Sequence, residues 1–256
     1  MKFKEKLKIW MKYSGFNFYY KFVLGMPIRR ICEYNKAILL ASEINKGIQK
    51  YKNINTGRDI YIIGGGPSVK NFKREKLQRD VYIGTNRGYK DQRFEFDYLF
   101  IQDRLPEGYD EFMNYRGDEC TKFIGIIPYN TFFKLCETGI EGNYERYVLA
   151  SRKLKDVPYD VSIEPFADLM GTVFSAVQFA LYTNPDHIFL VGMDCSQGNE
   201  NNRTKDRYGY QIKGWKAIRK SVVARGLYDK LVSINPIGLK GFFTDIYTDK
   251  EKNGFN

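Results

Sequence analysis

The strongest chemical signal in the sequence lies at Tyr61 to Phe72, which reads YIIGGGPSVKNF. An apolar run ends in Gly64, Gly65 and Gly66, and Pro67 and Ser68 follow. Glycines there admit close approach of a ligand or of another backbone. Proline suits the first position of a following turn or helix, and serine caps one. Other apolar runs also end in small or polar residues: Asn86-Arg87, Gln102-Asp103 and Gly192-Met193-Asp194. If these ends share one rim, they bring together amide groups, one arginine and two carboxylates. That set suits a nucleotide phosphate, and a carboxylate in a partly desolvated crevice suits general-base work. Asp194 is the first candidate base and Asp103 the second; capping a turn or holding a hydroxyl are equally open roles for Asp194. The glycine run is neither GxGxxG nor followed by GK[ST], so it is neither a dinucleotide fingerprint nor a Walker loop. Taken alone, a tight structural turn explains three glycines as well as a ligand does.

These ends need a scaffold. From Asp59 onward, short β-rich runs alternate with helical patterns, and strands are expected over 59–64, 81–86, 98–103, 122–127, 187–194 and 230–236. Continuous apolar runs suit strands covered on both faces, as in a parallel sheet. Helices are expected over 170–184, with Val173, Val177, Ala180 and Leu181 along one face, and over 214–226, closed by Gly226. Strand and crossover repeated in this way predict an α/β, Rossmann-like, mostly parallel sheet, with ligands beyond the carboxyl ends of its strands.

Charge divides the chain. Residues 1–57 hold twelve Lys or Arg against three Glu, a net +9 of the total +11. The expected organisation is therefore a basic helical extension over 1–57 and a near-neutral domain over 58–256. Within 1–30, Phe3, Leu7, Trp10 and Met11 fall at helical spacing among lysines. The apolar run Phe22 to Ile28 is far shorter than the roughly 20 residues a membrane span needs. Such a segment fits an anionic leaflet, where each lysine adds on the order of 1 kcal/mol, or docking on a partner or on its own domain. Another helix is expected over 34–51. Four scattered cysteines without metal spacing, and no secretory signal, point to reduced thiols in the cytoplasm, peripheral at most to the inner face of the membrane. Nucleic acid is not an expected partner, because no aromatic-basic motif of an RNA-binding module occurs.

The motifs IIGGGPSVKNF, GTNRGY, DYLFIQD, a glycine-threonine helix start and IFLVGMD follow in that order between Asp59 and Pro236. In combination they resemble the bacterial sialyltransferases of glycosyltransferase family 42. They also resemble a wider set of surface-polysaccharide proteins related to archaeal 6-hydroxymethylpterin diphosphokinase-like proteins. The resemblance implies a single Rossmann-like domain (a GT-A-type variant) with a small lid, a CMP-sugar donor and no required metal or other cofactor. It would put Gly64, Gly65, Gly66, Pro67 and Ser68 near the phosphate and ribose, with Asn86 and Arg87 by the nucleotide and Gln102 beside the cytidine or ribose. Met170, Gly171 and Thr172 would offer amides at a helix N-terminus. The lid would be residues 195–214, with Tyr208 and Tyr210 on the leaving phosphate. In one respect the sequence departs from the family: its sialyltransferases use a lid histidine as the base, and the only histidine here is His187, at the start of an expected strand.

The expected activity is sugar transfer from a nucleotide donor to a surface-glycan or lipid-linked acceptor in bacterial polysaccharide biosynthesis. One alternative is metal-dependent pyrophosphate transfer to a pterin, with Asp103 and Asp194 as magnesium ligands through water. The other is a catalytically inactive nucleotide-binding assembly protein at the membrane.

Overall fold

The computed structural model describes residues 25–73, 75–102, 109–126, 143–150, 157–195 and 205–248. The expected helix near residues 1–12 and the candidate Asp103 lie outside them, as do the side chains of Tyr208 and Tyr210.

Nine strands form one sheet among the described residues. They are β1 (Asp59–Ile63), β2 (Asp80–Thr85), β3 (Tyr98–Ile101), β4 (Thr121–Ile126), β5 (Tyr144–Ala150), β6 (Phe166–Ala167), β7 (His187–Val191), β8 (Leu231–Ile234) and β9 (Thr244–Ile246). Their order is β6-β5-β4-β3-β2-β1-β7-β8-β9, and every neighbouring pair is parallel. All six expected strands are present. The α/β class is therefore as expected, with β5, β6 and β9 added to it.

Among the described residues, four α-helices accompany the sheet: α1 (Gly25–Ile44), α2 (Tyr109–Asn114), α3 (Thr172–Thr183) and α4 (Lys205–Ala224). Helix α3 matches its expected position. Helix α1 begins earlier than the expected 34–51 and ends at Ile44, where a 3-10 helix over Asn45–Tyr51 takes over. Pro27 sits in its first turn, where a missing N–H breaks no helical bond.

One face of the sheet packs Ile60, Ile62, Phe100 and Phe123 against Phe179 of α3 and Trp215 of α4. Phe100 and Phe123 stack on neighbouring strands with centroids 4.4 Å apart. The other face packs Tyr61, Tyr82 and Leu99 under Phe72, Phe94 and Phe112 from the short connections between β1 and β4. Tyr61 stacks there on Phe189, 4.7 Å between centroids. Strands buried on both faces explain the unbroken apolar runs.

The division expected at residue 57 is not where packing divides. Ile48 and Tyr51 belong to the main core, and Ala37 and Ala41 of α1 close against Val148 and Ala150 of β5. Asn45, fully buried, donates to the carbonyls of Val161 and Glu164 and accepts from Val148 N at 2.9 Å. A high cation count marks a solvated outer surface; it does not prevent the inner side of the same segment from joining the core. The boundary expected at 214 also moves, because α4 starts at Lys205 and runs unbroken through what was read as the end of the lid. Gly214 inside it reflects packing: a Cβ there would lie 2.5 Å from the Phe174 ring.

Candidate functional site

Chain direction across the sheet reverses at its centre. From β1 the strands step outward to β6 on one side; α3 then carries the chain back to β7 on the other side of β1. Carboxyl ends flanking such a switch point leave a crevice between connections that depart over opposite faces. The glycine loop follows β1, and the Gly192 to Asp194 segment follows β7.

Pairing between these two strands continues into the loop. Gly64 N donates to Val191 O at 2.8 Å and Gly66 N to Gly192 O at 2.9 Å. A Cβ on Gly64 would lie 2.7 Å from Gly192 O and 2.8 Å from Met193 Sδ. One on Gly66 would lie 2.5 Å from both Gly192 O and Asp194 Oδ2. Two of the three glycines are thus required by the neighbouring strand end. Gly65 differs: it is exposed, and nothing lies within 4 Å of where its Cβ would be. It is the position of the three at which a ligand can approach bare backbone.

Pro67 opens a 3-10 turn over Pro67–Asn71. Ser68, 6 % exposed, donates both its N–H (2.8 Å) and its hydroxyl to the carboxylate of Asp194. Asp194 is 2 % exposed, and its own carbonyl accepts from Gly238 N at 2.6 Å. Both carboxylate oxygens are therefore engaged in tying the Gly-Pro-Ser turn to the end of β7. That geometry matches the turn-capping role left open for Asp194 beside that of proton acceptor.

On the other side of β1, Asn86 follows β2 and lies in the left-handed region (φ 51°), where asparagine is tolerated better than most residues. Its Oδ1 accepts from the Thr172 hydroxyl at 2.9 Å. Thr172 is the first residue of α3, whose N-terminus carries no side-chain cap, so this bond joins the end of β2 to the start of the helix. Gln102, just past β3 and 6 % exposed, donates from Nε2 to Asp168 Oδ1 at 3.0 Å. The same oxygen accepts from Met170 N at 3.1 Å. Met170 itself is left-handed (φ 67°) and 59 % exposed.

Structure thus brings Gly64, Gly65, Gly66, Pro67, Ser68, Asn86, Gln102, Met170, Gly171, Thr172 and Asp194 to one edge of the sheet. Arg87 stands exposed beside Asn86. His187 lies at the opposite, amino edge, with Nδ1 3.0 Å from Asp59 Oδ1. Asp168 was missed from the sequence. Its signal was an acidic residue four places before a helix start, in a stretch (FADLMGT) whose strand is only two residues long. Among the described residues, no three His, Cys, Asp or Glu side chains gather as a metal cluster.

The crevice can act on an anion. Helix α3 presents its positive end there, and backbone N–H groups at such an end favour phosphate or carboxylate. Just beyond Asp194, burial pushes the Cys195 thiol up to about 11, and in the core it pushes Cys120 up to about 12. Raised thiols stay neutral and unreactive. Iodoacetamide at pH 8 should therefore leave both unmodified in the folded chain and alkylate both in denaturant, read by peptide mass spectrometry. Their contribution to stability is complete below the ordinary thiol range and is lost as pH rises through about 11 to 12.

Compared with known proteins, the chain matches no family model, and no curated protein or solved structure matches it significantly.

Proposed function

We propose that the crevice at the β1/β7 switch binds a nucleotide and that the chain is a glycosyltransferase, moving a sugar from a CMP-sugar donor to a glycan or lipid-linked hydroxyl. The observation that carries this reading is the pairing of open backbone at Gly65 with the uncapped start of α3, the two flanking Asn86. Donor phosphate lies between them, where amides and the positive helix end stabilise an anion. As the glycosidic bond to the donor breaks, negative charge grows on the departing phosphate. Fixed N–H donors and Arg87 meet that charge without reorganising. Tyr208 and Tyr210 add hydrogen bonds to the same phosphate. Asp103 takes the acceptor proton, and Asp194 positions the glycine turn. The single-domain, sialyltransferase-like form of the α/β fold belongs to the same proposal, resting on the motif order between Asp59 and Pro236.

A thermal-shift series against CMP, UDP, GDP and ATP tests it. Ligand at 100 times its dissociation constant adds about 2.7 kcal/mol, or roughly 5–10 °C for a domain of this size. CMP alone raising the midpoint is the expected result. No shift with any nucleotide removes the reading, and a shift only with ATP and magnesium transfers it to pyrophosphate chemistry.

A further inference from the structure

Helix α4 carries a charge pattern that the crevice does not use. Between Asp206 and Asp229 the chain has six lysines and arginines and no acidic residue. The rest of residues 58–256 therefore carries a net charge of −4, with 23 cations against 27 anions. Positive charge in this domain is thus concentrated on one helix.

Structure sorts those cations. Trp215, Ala217, Ile218, Ser221 and Val222 turn inward and are buried. Arg225 also turns in, donating to the carbonyls of Val157 and Pro158 at 2.7 and 2.8 Å. Lys213, Lys216, Arg219 and Lys220 are exposed. At 100° per residue these four fall within an arc of roughly 120°, and Lys213 to Lys220 spans about 10 Å of helix. Val223, 56 % exposed, continues the same arc, and the Arg219 guanidinium lies over the Tyr228 ring, 5.7 Å from its centroid.

We propose that this face of α4 docks on an anionic phospholipid surface. Three of the four cations are lysines, compact charges on long apolar stems, which suit a diffuse negative surface better than forked recognition of single phosphates. An apolar Val223 within the arc suits the headgroup boundary. Among the described residues, no aromatic side chain stands exposed on the arc to stack on bases, so the chemistry favours lipid over single-stranded nucleic acid. Gly214 lies close against the Phe174 ring and the Leu169 carbonyl at the start of α3, so the Lys213 end of the arc lies at the crevice edge of the sheet. Lying flat, the helix brings the rim of the crevice to the leaflet.

The test uses the full chain and vesicles of phosphatidylcholine with or without one quarter phosphatidylglycerol. The parent should sediment with the anionic vesicles only, and release as salt rises from 50 to 500 mM. K216E/K220E should weaken partitioning by at least about tenfold, since each basic residue near the surface contributes several-fold in affinity. K216Q/K220Q should give a smaller loss in the same direction. All variants keep the parent's melting temperature, because both side chains are exposed. R79E/R146E removes equal charge from exposed positions elsewhere and should lose far less. The inference is overturned if the parent ignores anionic vesicles, if K216E/K220E binds as the parent does, or if R79E/R146E loses as much. It is equally overturned if the parent binds a 20-nucleotide RNA and the α4 reversal abolishes that binding while sparing the vesicles.

Discussion

Replacing Gly66 by alanine is expected to destabilise the fold by about 3–5 kcal/mol, whereas the same change at Gly65 leaves stability within about 0.5 kcal/mol of the parent. The two positions are adjacent in sequence and opposite in surroundings. A Cβ on Gly66 meets a backbone carbonyl and the Asp194 carboxylate at 2.5 Å, and a carbonyl in a strand-end pairing cannot swing aside. Relief requires the β1 and β7 ends to separate, which stretches the Gly66 N to Gly192 O bond and the Asp194 clamp together. Gly65 has no such neighbour and no left-handed backbone angle, so alanine fits it. Its methyl group does, however, stand where the proposed donor phosphate would approach. Urea melts and CMP titrations separate the effects: Gly66→Ala loses stability, and Gly65→Ala loses at least tenfold in nucleotide affinity while melting as the parent does. Full affinity in Gly65→Ala would falsify the assignment of this loop to phosphate.

The second large effect belongs to Asp194. Asp194→Ala leaves the Ser68 N–H and hydroxyl buried without acceptors, at about 1–3 kcal/mol each. The expected loss is therefore about 2–6 kcal/mol, seen in guanidinium denaturation. Asp194→Asn keeps one acceptor for the N–H and lets the Ser68 hydroxyl turn to accept from the amide, so it should recover most of that loss. Kinetics distinguish a clamp from a base. A positioning residue raises the KM for donor in Asp194→Asn and leaves the shape of the pH–rate profile intact. If instead kcat falls a thousandfold with KM unchanged and the basic limb of the profile disappears, the carboxylate is the proton acceptor and the clamp is secondary.

Much of this arrangement was legible in the sequence, for identifiable reasons. Runs such as DIYIIG and HIFLVGMD are apolar on both faces, which leaves few options other than central parallel strands. Residues at their carboxyl ends then had to share one edge. Strand β5 was missed because it opens with Tyr144, Glu145 and Arg146, polar and charged residues that an outer strand position accommodates. β6 and β9, at two and three residues, are too short to carry a period. The start of α4 was hidden because residues 195–214 were assigned to a lid on the resemblance, which left the helix to begin at Gly214. Gly214 is a packing residue against Phe174, a contact between segments forty positions apart that no local pattern reveals. The same limit applies at the crevice. Composition signalled three glycines, yet which of them faces solvent depends on β7, more than 120 residues away.

That distance has a consequence for how the molecule comes to exist. β1 pairs with β7 through Asp59 and His187, so the middle of the sheet is completed by one of its last-made pieces. A nascent chain leaving the ribosome can assemble β1 through β6 step by step and still hold one flank of β1 unpaired, with Ile60 and Ile62 alongside. Only after roughly residue 191 has cleared the exit tunnel can the gap close and Ser68 find Asp194. Chains cut short before that point should be the ones that chaperones hold and proteases clear, and the crevice between β1 and β7 should form all at once, late in synthesis.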